Sequence, residues 1–445
     1  PTARCHPADA STVSECGSEM IALTDADGDF LTYAVDVVAL TLATANGRIV
    51  ETLPRRTRIN FTDYVDLTEL VTVATIPPAT YVAGTIRLDY EGAEIYVEAN
   101  GESKEAMVTD LDGVELEQTE LRIVLPERDR LVVTRGRPAL LQIDFDLDAS
   151  HTVDIVPTPA KAASEQFIVA EIAPVDEKDI RVRGPLVEVS PDEMTYTVAI
   201  RPFHDRDGDF GQVKVHVTDE TEFEVDEVPS MGVDGLLALE AAGRGTPTVA
   251  QGTLNVAERR FTANVVLAGS SVPGIDRDAV IGNVIKRDGN FLTIRGATIV
   301  PSDRRAHFHD DVVVEVGPDT KVFKDGDRQS DLGIRAISIG QRVTIRGTQP
   351  SPSTDAASPQ ILFDATQGAV RMHVTHLSGI VNTVMTGQTD ITLHSIDRRR
   401  VEIFDFAGTG MEPNVDADPD NYEVATGNLT LADFSPGKPI VARGF

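Results

Sequence analysis

Two glycine landmarks return at nearly one interval along this chain, and they limit its architecture more tightly than any other feature. Arg183-Gly184-Pro185-Leu186-Val187, Ile281-Gly282-Asn283-Val284-Ile285 and Ser378-Gly379-Ile380-Val381-Asn382 set their glycines 98 and 97 residues apart. Val249-Ala250-Gln251-Gly252, Thr344-Ile345-Arg346-Gly347 and Val441-Ala442-Arg443-Gly444 recur at 95 and 97. Two independent landmarks with one period define a tandem repeat. That period is too long for one coil of a solenoid, so each unit must bury a core of its own.

Strand signals dominate the chain. Thr32–Leu40, Gly84–Tyr90, Val213–Val217 and Val312–Val316 carry period-two or β-branched patterning. Helical candidates are short: Thr62–Leu70 and Asp234–Ala242. Within each repeat lie a strand pair, a Thr-x-Phe-like turn (Thr221-Glu222-Phe223, Thr320-Lys321-Val322-Phe323, and a weaker Asn421-Tyr422) and an apolar segment. Some six short strands with one helical turn is the content of a small closed barrel of the OB or SH3-like kind. The expected class is therefore all-β with minor helix, with barrels at 177–275, 276–372 and 373–445.

After Gly252 the first repeat continues into Arg260–Val266, and after Gly347 the second continues into Gln360–Ala365, each reading as a further strand. The third repeat reaches Phe445 with no such strand. Either that strand belongs to the barrel that comes next, the simpler arrangement, or the last barrel has an open edge that another chain can fill by strand addition. The second arrangement would make the chain a subunit of a polymer.

Residues 17–157 read as a different domain. Their strands, an Asn46-Gly47 turn and a Pro77-Pro78 turn before Ala79 suggest an immunoglobulin-like or transthyretin-like sandwich. The Pro/Ala/Ser-rich stretch Pro157–Ser164 marks a linker, 158–176. Residues 1–16 form a polar leader holding both cysteines, Cys5 and Cys16. In an oxidising compartment these would close one short loop; elsewhere they are two idle thiols. The chain opens on Pro1 and has no run of about eighteen apolar residues, so it is read as a mature exported chain with no membrane span.

Ala22-Leu23-Thr24-Asp25-Ala26-Asp27-Gly28-Asp29-Phe30, then Val35-Asp36-Val37-Val38, then Ile76-Pro77-Pro78-Ala79-Thr80-Tyr81 resemble a bacterial exported domain family of unknown function that is often found in lipoproteins. That resemblance covers the N-terminal third. The tandem units resemble a second exported β-barrel family, also uncharacterised. Neither resemblance implies a catalytic residue. A lipoprotein would open on a lipidated cysteine, whereas here the first cysteine is at position 5.

The charge narrows the partners. With 71 acidic against 40 basic residues the net charge is -31, which opposes nucleic acid and suits cations, basic surfaces or plain solubility. The acids concentrate in a tract that occurs twice, Asp25-Ala26-Asp27-Gly28-Asp29-Phe30 and Asp205-Arg206-Asp207-Gly208-Asp209-Phe210. An EF-hand needs glycine at position 6 and an acid at 12. The two tracts put Phe30 and Phe210 at 6, and Asp36 and His216 at 12, so neither is an EF-hand. What survives is a shorter inter-strand loop in which Asp25, Asp27 and Asp29, or Asp205, Asp207 and Asp209, hold Ca²⁺. The competing reading is a tight turn whose aspartates bond backbone amides. Asp416, Asp418 and Asp420 form a third acidic loop without the glycine.

His307 and His309 share a strand face beside carboxylates, a pattern suited to Zn²⁺ or to a solvated hairpin tip. His373 and His376 read as ordinary surface residues. No nucleophile elbow, phosphate-cradling glycine loop, zincin helix or Cys/His pairing occurs. The reading is a non-catalytic secreted or cell-surface structural or adhesive protein, a filament or matrix subunit with Ca²⁺-binding loops that associates with itself or another surface protein by strand addition. The alternatives are a ligand- or protein-binding module using a barrel groove and a hydrolase without a visible motif.

Overall fold

The structure is a computed structural model. It describes residues 5, 16–24, 30–64, 67–125, 127, 130–135, 138–164, 169–171, 179–202, 208–255, 258, 260–303, 306–325, 332–349, 361–410, 416–431 and 434–445, with backbone alone at 138, 148, 169–171 and 361. The chain divides into two compact units, Pro1–Val272 and Pro273–Phe445. The class is all-β.

The first unit opens with strands β1 (Gly17–Thr24), β2 (Phe30–Thr44), β3 (Ile49–Glu51), β4 (Thr57–Asn60), β5 (Leu67–Ile76), β6 (Ala79–Ala99) and β7 (Glu102–Thr109). It continues with β8 (Gln118–Val124), β9 (Leu131–Val133), β10 (Pro138–Asp144), a one-turn helix α1 (Leu147–Ser150), β11 (His151–Asp154), β12 (Ala160–Ser164) and β13 (Val169–Glu171). One sheet runs β13-β10-β1-β5 and the other β11-β12-β7-β6-β2-β3. Alternation along β8, with Thr119, Leu121 and Ile123 buried and their neighbours exposed, shows the period-two logic of a sheet with one wet face. Ile21, Tyr33, Leu42, Ile76 and Leu141, from both sheets, meet in one core.

Two expectations fail in this region. Thr62–Leu70 is not a helix: Phe61–Tyr64 makes a single 3-10 turn, and from Leu67 the chain is strand β5. Its β-branched and apolar residues pair on both edges, which outweighs weak local helix propensity. Residues 158–176, read as a linker, contain β12, which pairs parallel with β7 and antiparallel with β11, and β13, which pairs with β10. Ala160 and Ala162 are fully buried, so small size, not flexibility, explains the composition there. The leader cysteines are joined: Cys5 and Cys16 form a disulfide, with Cα atoms 6.0 Å apart.

The first repeat comprises β14 (Asp179–Ser190), β15 (Thr195–Ala199), β16 (Gln212–His216), β17 (Glu222–Val225), β18 (Val228–Met231), helix α2 (Gly232–Ala242), β19 (Pro247–Asn255) and β20 (Arg260–Ala268). Strand β14 pairs with β15, β15 with β16, β16 with β20, β20 with β19, and β19 returns to β14. That ring is a closed five-stranded barrel. Strands β17 and β18 extend it from the parallel edge of β20. Helix α2 buries Leu236 and Leu239, each worth about 1.5–3 kcal/mol. The first landmark glycine lies two residues before the register slip of the opening hairpin, and a Cβ on Gly184 would lie 1.7 Å from the Ala199 carbonyl oxygen.

The second unit repeats the plan with β21 (Asp278–Asp288), β22 (Phe291–Val300), β23 (His307–Glu315), β24 (Lys321–Lys324), β25 (Arg342–Thr348) and β26 (Ile361–Met372). Its ring is β21-β22-β23-β26-β25, closed back to β21, with β24 parallel to β26. Strands β20 and β26 thus close the barrels that precede them and do not belong to the next barrel in the chain. The simpler of the two arrangements is overturned.

The third repeat holds β27 (Thr375–Met385), β28 (Gln388–Ile396), β29 (Arg399–Arg400), β30 (Tyr422–Ala425) and β31 (Pro439–Gly444). Strand β27 pairs with β28 and β31, while β29 and β30 share the other edge of β28. Among the described residues no strand joins β30 to β31, so this third sheet is not a closed barrel. Its core is continuous with that of the second repeat through Val381, Ile391, Leu393 and Ile396.

Candidate functional site

The acidic tracts fall largely outside the described residues: Asp25, Asp27, Asp29, Asp205 and Asp207 all do. Asp209 is described, and its Oδ1 accepts from the Gly211 amide at 3.1 Å, an Asx turn. The next residue, Phe210, has a structural role. It is fully buried, and its carbonyl accepts from the Val73 amide at 2.7 Å and from the Thr72 hydroxyl at 3.1 Å. The tract therefore ends in an anchor that stitches the first repeat onto β5. Phe30, which closes the other tract, packs edge-on against Tyr33.

The same junction carries a fully buried carboxylate. Strand β14 pairs in parallel with β5, Asp179 to Leu67 through Arg181 to Glu69. Glu69, fully buried, accepts from Arg181 Nε at 2.5 Å and from Arg183 Nε at 2.8 Å. The Arg181 guanidinium also lies 5.7 Å from the Tyr64 ring centre. Burial, and then the Glu69 charge, push the Tyr64 hydroxyl well above its ordinary range. Two cations satisfy both oxygens of one carboxylate, the condition under which a buried charge is tolerated. Glu69 and its arginines are 112 and 114 residues apart, so no local pattern announces them.

A second buried cluster lies inside the sandwich. His151 donates from Nδ1 to the Leu147 carbonyl at 3.0 Å, the only role open to a nitrogen facing a carbonyl, and its Nε2 lies 3.1 Å from the Tyr33 hydroxyl. Phe30, Tyr33 and Phe145 surround the ring. Burial brings His151 down to about 4, partly offset by the bond to Leu147.

Asp416, Asp418 and Asp420 form local turns. Asp416 Oδ1 accepts from the Gly410 amide at 2.8 Å, and Asp418 Oδ1 from the Asp420 amide at 2.9 Å. His307 and His309 lie half-buried on β23, opposite Ile299 and Ala297. Asp311, the next residue on that face, is held by Arg295 through two bonds of 2.9 and 3.0 Å. Among the described residues no three His, Cys, Asp or Glu side chains converge in a way that could hold a metal.

His373 is no ordinary surface residue. Its Nδ1 lies 2.8 Å from Asp325 Oδ2 and its Nε2 2.8 Å from Thr344 Oγ1. Carboxylate, imidazole and hydroxyl in that order have the connectivity of a nucleophile-activating triad. Thr344 is buried in the barrel wall on β25, and the three groups tie β25 to the ends of β24 and β26. A depression of about 450 Å³, lined by Asp110, Gln118 and Ser164, lies on the sandwich and not in a barrel groove. No helix is long and apolar enough to cross a membrane among the described residues. Comparison of the chain with protein families, with curated proteins and with solved structures finds no match in any of the three.

Proposed function

We propose that the chain is a non-catalytic structural or adhesive protein, secreted or displayed on a bacterial surface, that works as a component of a filament or matrix. One observation carries this reading. Sandwich and first barrel share a hydrogen-bonded sheet through β5 and β14, and that seam is reinforced by the Glu69–Arg181–Arg183 cluster and by Phe210. Two domains joined by backbone bonds and a buried ion cluster resist force as one body, whereas a binding or catalytic pair gains from a hinge. The leader disulfide, the acidic surface and the resemblance to exported β-domain families support the extracellular part of the reading.

Pulling single molecules from end to end tests it. The first unit should yield in one event that releases roughly 900 Å of contour, at about 3.5 Å per residue. Separate events of roughly 500 and 300 Å would sink the mechanical reading. In the same proposal the paired acidic tracts bind Ca²⁺, since clustered carboxylates repel one another without a cation. Saturating Ca²⁺ should then raise the melting temperature relative to EDTA by several degrees, as about 2–3 kcal/mol of linkage implies. An unchanged melting temperature removes Ca²⁺ from the proposal.

A further inference from the structure

One loop of the sandwich repeats the order of the two acidic tracts. Asp110-Leu111-Asp112-Gly113, between β7 and β8, has the Asp-x-Asp-Gly spacing of residues 25–28 and 205–208. Asp110 Oδ1 accepts from the Asp112 amide at 3.0 Å and from the Val114 amide at 2.8 Å. Gly113 takes φ +81°, and its amide donates to the Asp110 carbonyl at 3.0 Å. The Asp110 amide donates in turn to the Val114 carbonyl at 2.9 Å, so the loop is closed on itself. One oxygen of Asp110 builds the turn. Among the described residues its Oδ2 and the exposed Asp112 carboxylate accept no bond.

This loop forms one wall of the depression of about 450 Å³, a volume inside the range of about 300–1,000 Å³ usual for small-ligand sites. Among the described residues the lining holds three carboxylates, Asp110, Asp112 and Glu120, and no basic side chain. Arg87 stands opposite Glu120 in the β6–β8 ladder, yet among the described residues the two form no ion pair. Gln118 commits Nε2 to Asp89 Oδ2 at 3.1 Å and keeps its carbonyl oxygen as an acceptor. An independent observation comes from β12. Ser164, its last residue, lines the same depression and is 8% exposed. Its buried hydroxyl has no hydrogen-bond partner among the described residues. Packing does not require that hydroxyl, since Ala160 and Ala162 hold the same face of the strand. A ligand that bonds it removes the penalty of an unpaired polar group.

We infer that this depression binds a primary ammonium group on a short alkyl stem, the chemistry shared by a free amine and by the side chain of a lysine. The lining offers acceptors and negative charge, and an ammonium brings three donors and no acceptor. A divalent metal requires oxygens that converge on one point. Among the described residues no three acidic, His or Cys side chains do so, whereas an ammonium suits acceptors spread around a wall. Leu111, 71% exposed, and Leu116, packed against the sandwich core, give the methylene stem an apolar surface. The loop already accepts one ammonium from within the chain. Lys161 Nζ donates to the Gly113 carbonyl at 3.4 Å, from the face of β12 opposite Ser164. Such binding goes beyond the structural reading and stands without it.

Calorimetric titration of the 445-residue protein tests it with n-butylammonium and with an N-acetylated peptide carrying one lysine. At least one of them should bind about tenfold or more tighter than butyltrimethylammonium, which has the charge but no N–H donor. Binding of the peptide alone makes the occupant a lysine of another protein, and binding of butylammonium alone makes it a free amine; either outcome supports the inference. Asp110→Asn combined with Asp112→Asn keeps the turn, because the amide oxygen accepts the same backbone bonds, and should weaken binding about tenfold or more. Ser164→Ala should also weaken binding, while the melting temperature of the free protein stays unchanged or rises, since the lost hydroxyl had no partner. No binding by either probe, affinity indifferent to these substitutions, or equal affinity for butyltrimethylammonium overturns the inference. Ca²⁺ that displaces butylammonium at equal concentration would make the depression a metal site and overturn it equally.

Discussion

Arg183 donates from Nε to Glu69 Oε1 across 2.8 Å, joining the first barrel to the sandwich through a carboxylate that has no contact with water. Desolvation makes such a cluster a weak source of net stability, but it makes the loss of one member strongly destabilising. Glu69→Ala should therefore lower the stability of the first unit by about 3–5 kcal/mol, because two guanidinium groups lose their counter-charge together. Glu69→Gln should cost less, since its carbonyl still accepts one bond. Urea unfolding measures both, and an unmoved midpoint for Glu69→Ala would show that the cluster is energetically idle.

His151 makes the sandwich sensitive to acid. Its folded value, about 4, lies below the ordinary 6.5, so its contribution is fully present above pH 6.5 and is lost as pH falls toward 4. A shift of that size corresponds to about 3 kcal/mol. His151→Gln removes the titrating group, so the stability difference between wild type and variant should shrink across that window. If the difference is flat from about pH 7 to about pH 4.5, the imidazole titrates as it would in water.

These two groups show where sequence reading stops. The repeat is legible because a close backbone approach admits only glycine, and that requirement leaves a mark at fixed spacing. Strands β2, β6, β16 and β23 are legible because period two is local. The partner of Glu69 is not, because the contact depends on β5 and β14 pairing across more than a hundred residues. His373 reads as a solvated residue because its partners, Asp325 and Thr344, lie 48 and 29 residues away. The run Ala160–Ser164 reads as linker because alanine lacks strand propensity, although burial beside β7 suits its size. In the twin acidic tract the carboxylates are the conspicuous residues, yet its best-defined contribution is Phe210, the apolar residue that ends it.

Glu19 gives the opposite pH signature. It is fully buried on β1, neither carboxylate oxygen accepts a hydrogen bond from a described group, and burial raises it well above the ordinary carboxylate range. A raised folded value means that its contribution is intact below about pH 4.5 and is lost as pH climbs toward the folded value. Glu19→Gln should gain stability over wild type as pH rises, by about 1–3 kcal/mol at about pH 8, and should gain little at about pH 4. Equal differences at the two pH values would show that Glu19 is solvated in the native state.

Gly252 and Gly444 occupy one position of the repeat in two environments, and one substitution tells them apart. A methyl group on Gly252 must push against the Thr262 carbonyl, so β19 and β20 have to separate or the barrel has to deform. Overpacking of this kind costs about 1–3 kcal/mol. The same methyl group on Gly444 meets open space, and its cost should stay within about 0.5 kcal/mol. Chemical unfolding of Gly252→Ala and Gly444→Ala in the full chain measures the contrast. A Gly444→Ala variant as damaged as Gly252→Ala would mean that a backbone already runs beside β31, and the third sheet would be closed in solution.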